Sequence, residues 1–531
     1  MRKGIAFESG AGERGPSVLV PLLAGIVASL PFQKNAPGFL VFCALVPFLL
    51  LLKAPRGSRD PLSGFRTGWL FGFGFFLGLL YWIGLLSETE IPVRALAFGG
   101  LFVLSAYLAL FPALFGLLFR MLDGKLPALL FAPIVWGATE HLRSLGTLGF
   151  PWGSLGYALM DHLFLVQIAR FGSIDAVTLF VVVVNVLVAE SILHAAERRF
   201  RTFALRFAAA VLLLFFVGID GVRAMRSETA ASGKPVRVAV VQPNILAEEK
   251  WTELYKEESI RILAGITREA AAADPEIDLF VWPETSVPVY VRHEHRYFKQ
   301  IFDLVEETRV PVLFGFPDAE YAAGEGDYAY YNAAMLVDVG GHVRGEYRKI
   351  HLVPFGERLP LHARFDFIAR MNLGEADFAP GSDYSVFGIR GTEFSANICF
   401  EAIFPSLCRR FVREGARFLV NLTNDAWFGT TSAPFQHAAM ARLRSVELGV
   451  YLARSANTGI SLIADPRGRV VKRLGLYEKG YAAAEVVPTT ADTFYARHGD
   501  WLPKLELVLA GLFLLVALLR RAGAEPSARE R

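Results

Sequence analysis

Three side chains of different chemistry follow one another along the chain: the carboxylate of Glu284 in WPET, the amine of Lys349 in YRKIHLVPFGE and the thiol of Cys399 in NICFE. A thiol attacks a carbonyl as thiolate, so it needs a base to take its proton and a cation to favour the anion. Glu284 and Lys349 supply those two types, and the set predicts covalent acyl chemistry through Cys399. Each alone has a plainer reading, as a strand-end acid, a solvated lysine and a buried core thiol; the ordered set of three outweighs those readings. Glu357 and Glu401 are predicted to orient Lys349 or the loop around it, with surface or salt-bridge acids as the alternative.

Between about 235 and 490, short β-rich runs alternate with amphipathic segments. VRVAVVQPNI, IDLFVWPETSVP, PVLFGFPDA, FSANICFE, RFLVNLTNDAW and YLARSANTGISLIAD read as strands, and 251 to 273, 296 to 308, 403 to 414 and 434 to 449 as helices. Several strands are almost continuously apolar, as in a sheet buried on both faces, and the alternation argues an α/β fold. Glu284 and Cys399 fall at the carboxyl ends of strands, where such sheets place their chemistry. A helix starting near 403 to 406 is expected to lower the Cys399 pKa through its positive end.

Hydrophobic residues make up 53% of the 531 positions, mean hydropathy is +0.39 and net charge only +3. Such a chain exposes much of its surface to lipid, and it lacks the contiguous basic face that nucleic acid requires. Eight stretches approach the ~20 apolar residues of a spanning helix: 15 to 33, 35 to 52, 67 to 87, 95 to 119, 126 to 142, 171 to 189, 203 to 219 and 502 to 519. Clusters at Arg2, Lys3 and Arg14, at Lys53, Arg56, Arg59 and Arg66, at Arg120 and Lys125, at Arg198, Arg199 and Arg201, and at Arg520 and Arg521 all fall on one side. That side is cytoplasmic by the positive-inside rule, which puts the β-rich segment outside. The domains expected are a seven-span bundle over 1–220, an extracytoplasmic catalytic domain over 221–500, and a last helix with a cytoplasmic tail over 501–531. The amino terminus resembles a signal peptide in outline, but its long polar lead and the spans that follow argue against cleavage.

Cys43 and Cys408 are expected to be small buried hydrophobes rather than a disulfide. Glu140 is an intramembrane acid expected to pair with Arg143, ahead of an irregular GTLGFPWGSLGY segment. The aromatics from Phe71 to Trp82 and from Phe150 to Trp152 are expected mostly to pack against lipid, with the lining of an acyl path as the alternative.

WPE, then K-x-HLVPFGE, then C-F-E followed by NLTNDAWFG resembles the nitrilase, or carbon-nitrogen hydrolase, superfamily with its Glu, Lys, Cys triad. Membrane segments on both flanks narrow the resemblance to the apolipoprotein N-acyltransferase family. That resemblance implies a nitrilase-like αββα sandwich beside an all-α polytopic bundle, on the periplasmic side of a bacterial inner membrane. It implies a phospholipid acyl donor and, as acceptor, the free α-amino group of a diacylglyceryl-cysteine on an apolipoprotein. Glu284 then matches the proton acceptor, Lys349 the cationic member, Cys399 the nucleophile, Glu357 and Glu401 the supporting acids, and Trp251 an aromatic near the substrate entrance. Phe400 departs from the tyrosine many relatives carry, so a hydroxyl role is not transferred, although its backbone N–H is expected to join Lys349 at the oxyanion. Trp427 and Phe428 are expected to cover the site. Nothing in the pattern calls for a metal, a cofactor or a partner subunit, and a monomer is expected. The rival reading is a membrane-tethered amidase or nitrilase using water on a soluble substrate.

Overall fold

The computed structural model describes residues 18–53, 60–86, 94–245, 253–321, 328–358 and 378–522. Trp251 lies outside the described residues, as do Arg2, Lys3, Arg14, Arg56 and Arg59 of the basic clusters.

Twelve strands are described: β1 (Val236–Gln242), β2 (Leu279–Val281), β3 (Val312–Tyr321), β4 (Tyr328–Val337), β5 (Val343–Arg348), β6 (Phe387–Ile389), β7 (Thr392–Ile398), β8 (Phe418–Thr423), β9 (Tyr451–Ala456), β10 (Leu462–Ala464), β11 (Val470–Arg473) and β12 (Gly480–Val486). They form two six-stranded sheets, ordered β12-β1-β2-β3-β4-β5 and β11-β10-β9-β8-β7-β6. Each has a parallel centre, β1-β2-β3 in one and β7-β8-β9 in the other, with antiparallel strands outside. One core joins Val238, Val240 and Val281 of the first sheet to Phe394, Val420 and Leu452 of the second. The outer face of the first sheet packs Val241, Phe280 and Phe314 on Ile260, Leu263, Ile301 and Leu304, from the helices Glu253–Ala273 and His295–Thr308. The helices Pro405–Arg413 and Ala433–Leu448 cover the second sheet. The layers are therefore αββα, and near-continuous apolar strands such as β8 are buried along their whole length. Ser455 ties the sheets at their centre, its hydroxyl donating to the carbonyls of Val241 (2.9 Å) and Val281 (3.0 Å).

The other half is helical. Arg94–Leu122, Ala169–Ala196, Phe200–Arg226 and Trp501–Leu519 are long and apolar enough to cross a membrane, while Leu19–Phe32 and Gly38–Leu52 are shorter apolar helices. The helix Pro61–Leu79 crosses its neighbour backbone to backbone: a Cβ on Gly64 would lie 2.3 Å from the Gly116 carbonyl oxygen, and one on Gly116 2.2 Å from that of Gly64. Small residues at such a crossing let two helices approach closely where no hydrophobic effect draws them together. In Ala169–Ala196 the backbone leaves helical geometry at Gly172 and Ser173. Glu447 of the two-sheet half repairs the break, accepting hydrogen bonds from Ser173 Oγ (2.7 Å) and the Ile174 N–H (2.9 Å).

Several expectations are corrected here. Cys43 is exposed on the outside of the bundle, although Cys408 is buried. Phe71, Phe75, Phe76, Trp82 and Trp152 are buried inside the protein instead of facing lipid, because the bundle and the two-sheet half close over them as one apolar core that includes Phe400 and Phe404. Glu140 and Arg143 do approach, at 3.9 Å and both buried, with Trp136 Nε1 also donating to Glu140 (3.0 Å). The helix expected near 403 to 406 is present and starts at Pro405, with a short 3-10 turn, Cys399–Ile403, between it and β7.

Candidate active site

Glu284 stands just beyond β2, Lys349 is the first residue after β5, and Cys399 is the first after β7. All three are buried, at 4%, 1% and 8% exposure. Burial of ionisable groups is costly unless they are paired and hydrogen-bonded, and here they are. Lys349 Nζ lies 2.8 Å from Glu357 and 3.5 Å from Glu284 Oε1. Asn332 Nδ2, on β4, donates to Glu284 Oε1 and to Glu357 Oε1, both at 2.8 Å, and the Asn424 N–H donates to Glu284 Oε2 at 2.9 Å. Glu357 also takes the Val353 N–H (2.8 Å), which closes the HLVPFGE loop on itself.

The backbone under Glu284 leaves no room beside β3. A Cβ on Gly315 would lie 2.6 Å from the Thr285 nitrogen and 2.8 Å from Glu284 Cα. Glycine at 315 is what lets the turn press against the sheet.

Cys399 adopts φ +53°, a left-handed conformation that a non-glycine residue holds only when its surroundings enforce it. Two sets of bonds do so. Glu401, fully buried, accepts from the Ile398 N–H (2.7 Å) through Oε2, and from Tyr347 Oη (2.6 Å), the Ile350 N–H (2.8 Å) and the His351 N–H (3.0 Å) through Oε1. It thereby ties the turn at Cys399 to the segment that follows Lys349. On the other side, His437 Nε2 donates to the Cys399 carbonyl at 3.1 Å, and Asn421 Nδ2 lies 3.4 Å from the same oxygen.

Electrostatics around the thiol correct one expectation. Burial pushes the Cys399 thiol above the ordinary range, Glu284 adds to the effect, and Lys349 opposes it without reversing it. The helix Pro405–Arg413 starts where it was expected, but its positive end does not offset the burial of the thiol. Lys349 is the converse case: burial alone favours its neutral form, but Glu357 and Glu284 outweigh that and raise its pKa, so it stays a cation. Burial, with Lys349 next to it, depresses His351 to about 4. The arrangement is a neutral thiol beside a fixed ammonium and a carboxylate, suited to losing its proton as it attacks.

Behind Cys399 lies a network that sequence reading missed. Asp425 Oδ1 is 3.0 Å from His437 Nδ1 and takes Thr423 Oγ1 at 2.9 Å, while Asp425 Oδ2 takes Arg454 Nη2 at 2.6 Å. Burial opposes the Asp425 charge, but Arg454 and His437 outweigh it and hold the pKa below the usual carboxylate range. One donor atom each of Cys399, Asp425 and His437 lies within 4.8 Å of the others. Arg454 already supplies the positive charge a cation would bring, and His437 Nε2 is committed to a carbonyl, so the group is a hydrogen-bond network in form. Asp425 falls inside the NLTNDAWFG run, but His437 and Arg454 come from separate segments with no local signature.

The site faces the helical half. Trp152 Nε1 donates to Gln436 Oε1 (2.8 Å), and Gln436 Nε2 to the Phe32 carbonyl (3.1 Å). Rings continue the contact: Phe400 lies 5.9 Å from Phe150, Trp82 lies 5.2 Å from Trp152, and Phe428 lies 4.9 Å from Trp82. Phe400 thus joins a run of aromatic rings, a setting that suits its lack of a hydroxyl. Trp427 is half-buried, its indole N–H on the Asn424 carbonyl, beside Phe428 on the loop over this contact.

Known proteins match both halves of the chain. Residues 237–495 match the carbon-nitrogen hydrolase family, and 24–187 match the apolipoprotein N-acyltransferase N-terminal domain. A Geobacter metallireducens protein named apolipoprotein N-acyltransferase is 36% identical over 486 residues, covering 91% of each chain. A Chlorobaculum tepidum protein of the same name is 32% identical over 533 residues, covering 94% of this chain and 96% of its own. Among solved structures, Saccharomyces cerevisiae Nit3, of the nitrilase superfamily, aligns with TM-score 0.39 and 20% identity over 51% of this chain and 97% of that one.

Proposed function

This chain belongs to the apolipoprotein N-acyltransferase family, and from that premise we propose that it moves a fatty acyl chain from a phospholipid to the α-amino group of an apolipoprotein's diacylglyceryl-cysteine, through a thioester on Cys399. The observation that carries the reading is the setting of the thiol: Cys399 is buried where the catalytic half meets the aromatic core of the helical half. A nucleophile meant for a soluble amide has no need of that setting. A sixteen-carbon chain exposed to water costs roughly 12 kcal/mol at ~0.8 per methylene, so a lipid donor requires an apolar route from bilayer to sulfur.

In the first half-reaction, Glu284 takes the Cys399 proton as the sulfur attacks the ester carbonyl. Lys349 and the Phe400 N–H stabilise the oxyanion, Glu284 passes the proton on to the departing glycerol oxygen, and lysophospholipid leaves. Since the resting thiol is neutral, proton transfer and attack proceed together rather than from a standing thiolate. In the second half-reaction the acceptor amine, an α-amino group that ordinarily titrates near about pH 8, gives up a proton to Glu284 and attacks the thioester; the carbon–sulfur bond breaks and Glu284 returns the proton to the Cys399 sulfur. Glu357 and Asn332 hold Lys349 and Glu284 in place throughout.

The fitting topology has eight crossings, four by the long apolar helices and four by Leu19–Phe32, Gly38–Leu52, Pro61–Leu79 and Ala128–Arg143, and domains at 1–220, 221–500 and 501–531. The catalytic half then lies on the periplasmic face of the inner membrane, in a monomer. Incubation with phospholipid labelled in one acyl chain, with and without a diacylglyceryl lipopeptide, tests the reaction. Amine-dependent appearance of label on the lipopeptide supports transfer. Label released only as free fatty acid, or turnover of soluble amides instead, supports the amidase reading and refutes this one.

A further inference from the structure

A second feature sits at the opposite end of the second sheet. Where helix Phe200–Arg226 meets the two-sheet half, a groove open to solvent has Arg226, Glu228, Tyr451, Asp465, Arg467 and Arg469 in its lining. Tyr451 pairs with Phe418 at the start of β8, whereas Cys399 follows Ile398, which pairs with Leu422. At ~3.3 Å per residue, that separates groove and thiol by about 13 Å along the strands. The groove is therefore no part of the acyl-transfer centre.

Its position relative to the bilayer follows from the helix. Leu205, Phe207, Leu212, Phe215 and Phe216 are all exposed, and only 6% of the helix's apolar window is buried in the protein. Its 27 residues span ~40 Å at ~1.5 Å each, against a hydrocarbon thickness of ~30 Å. The last turn, carrying Arg223 and Arg226, therefore stands at the level of the lipid headgroups. Charge points the same way. Arg467 donates through Nη2 to Ser227 Oγ (2.8 Å), but its Nε is buried with no partner. Arg226 makes no ion pair among the described residues. Of the acids nearby, Asp465 is taken by Arg469 (2.6 Å) and Asp220 by Arg170 (2.8 Å), which leaves Glu228 against two guanidiniums. Burial, together with the charges of Arg170 and Arg469, lowers the Arg467 pKa against the opposing charge of Asp465, which also lines the groove and is held by Arg469.

We propose that this groove binds the headgroup phosphate of an anionic phospholipid whose chains lie along Phe200–Arg226, anchoring the catalytic half without being consumed. The inference needs only that the chain sits in a membrane, and it stands apart from the acyl-transfer reading. The test uses full-length protein with Cys399→Ala, so that no lipid is turned over, in nanodiscs of phosphatidylcholine containing phosphatidylglycerol. After transfer to detergent, native mass spectrometry reads the lipid that stays bound. The proposal expects retained phosphatidylglycerol that excess inorganic phosphate does not displace. At roughly fivefold per basic side chain removed, Arg226→Gln with Arg467→Gln lowers retention roughly twenty-five-fold. If the double variant fails to fold, Arg226→Gln alone serves, with a roughly fivefold loss expected. Unchanged retention in the variant, equal retention of phosphatidylcholine, or displacement by inorganic phosphate overturns it. Acyl transfer by the Cys399 protein, measured separately, reports on the other reading alone.

Discussion

Replacing Glu401 by glutamine changes one oxygen to an amide nitrogen at a site built entirely of donors. The carboxylate accepts the Ile398 N–H on Oε2, and Tyr347 Oη with the Ile350 and His351 N–H groups on Oε1. The least damaging orientation turns the new NH₂ toward Ile398 and keeps the three bonds on the other side. One buried backbone N–H then faces a donor, at a cost of about 1–3 kcal/mol, and the remaining bonds lose their charge assistance. A total near 3 kcal/mol corresponds to about a hundredfold. The orphaned N–H belongs to the residue preceding Cys399, so the loss is expected in the positioning of the thiol. Glu401→Gln should form the hydroxylamine-sensitive acyl label about a hundredfold more slowly than the parent, while thermal unfolding in detergent shows a protein still folded. Labelling within about threefold of the parent would refute the claim that this carboxylate holds the left-handed turn.

Other consequences are open to direct test. Gly315→Ala drives a Cβ to 2.6 Å from the Thr285 nitrogen; a destabilisation of about 1–3 kcal/mol and loss of acyl labelling are expected, and normal labelling would show that Glu284 tolerates the shift. His351, depressed to about 4 from 6.5, ties stability to pH. The unfolded chain takes up a proton below pH 6.5 that the folded site refuses until about pH 4, so stability present above 6.5 is lost as pH falls, by up to about 3 kcal/mol. His351→Phe should flatten that part of the curve in thermal unfolding; an unchanged curve assigns it elsewhere. For topology, a membrane-impermeant thiol reagent added outside should label Asp327→Cys but not Arg59→Cys, and the reverse pattern would place the catalytic half in the cytoplasm.

What could be read from the chain follows the range of its signals. Glu284, Lys349 and Cys399 each sit at a strand end within a compact run, and the structure brings them together. The apolar runs that became β1, β3 and β8 were legible because both their faces are covered. β4, β5, β6, β11 and β12 were not read as strands. In β4 the polar and aromatic YAYYN conceals Asn332, which bonds both Glu284 and Glu357. The His437, Asp425 and Arg454 network joins three segments with no shared motif, so only the fold assembles it. The pKa of Cys399 was misjudged because helix proximity was visible in sequence and burial was not. The aromatics were misjudged for a related reason: hydropathy marks a segment for the membrane without saying which face meets lipid and which meets the catalytic half.

The proposed reaction stands or falls with Cys399 as the carrier of the acyl chain between donor and acceptor. Intact-mass analysis of protein quenched after exposure to a single defined phospholipid, followed by peptide mapping, reads that state without intermediaries. One added acyl mass is expected, on the Cys399 peptide, absent in Cys399→Ala and Lys349→Ala, and discharged when a lipopeptide amine is added. Transfer that proceeds with no such adduct, or with the adduct on another residue, contradicts it.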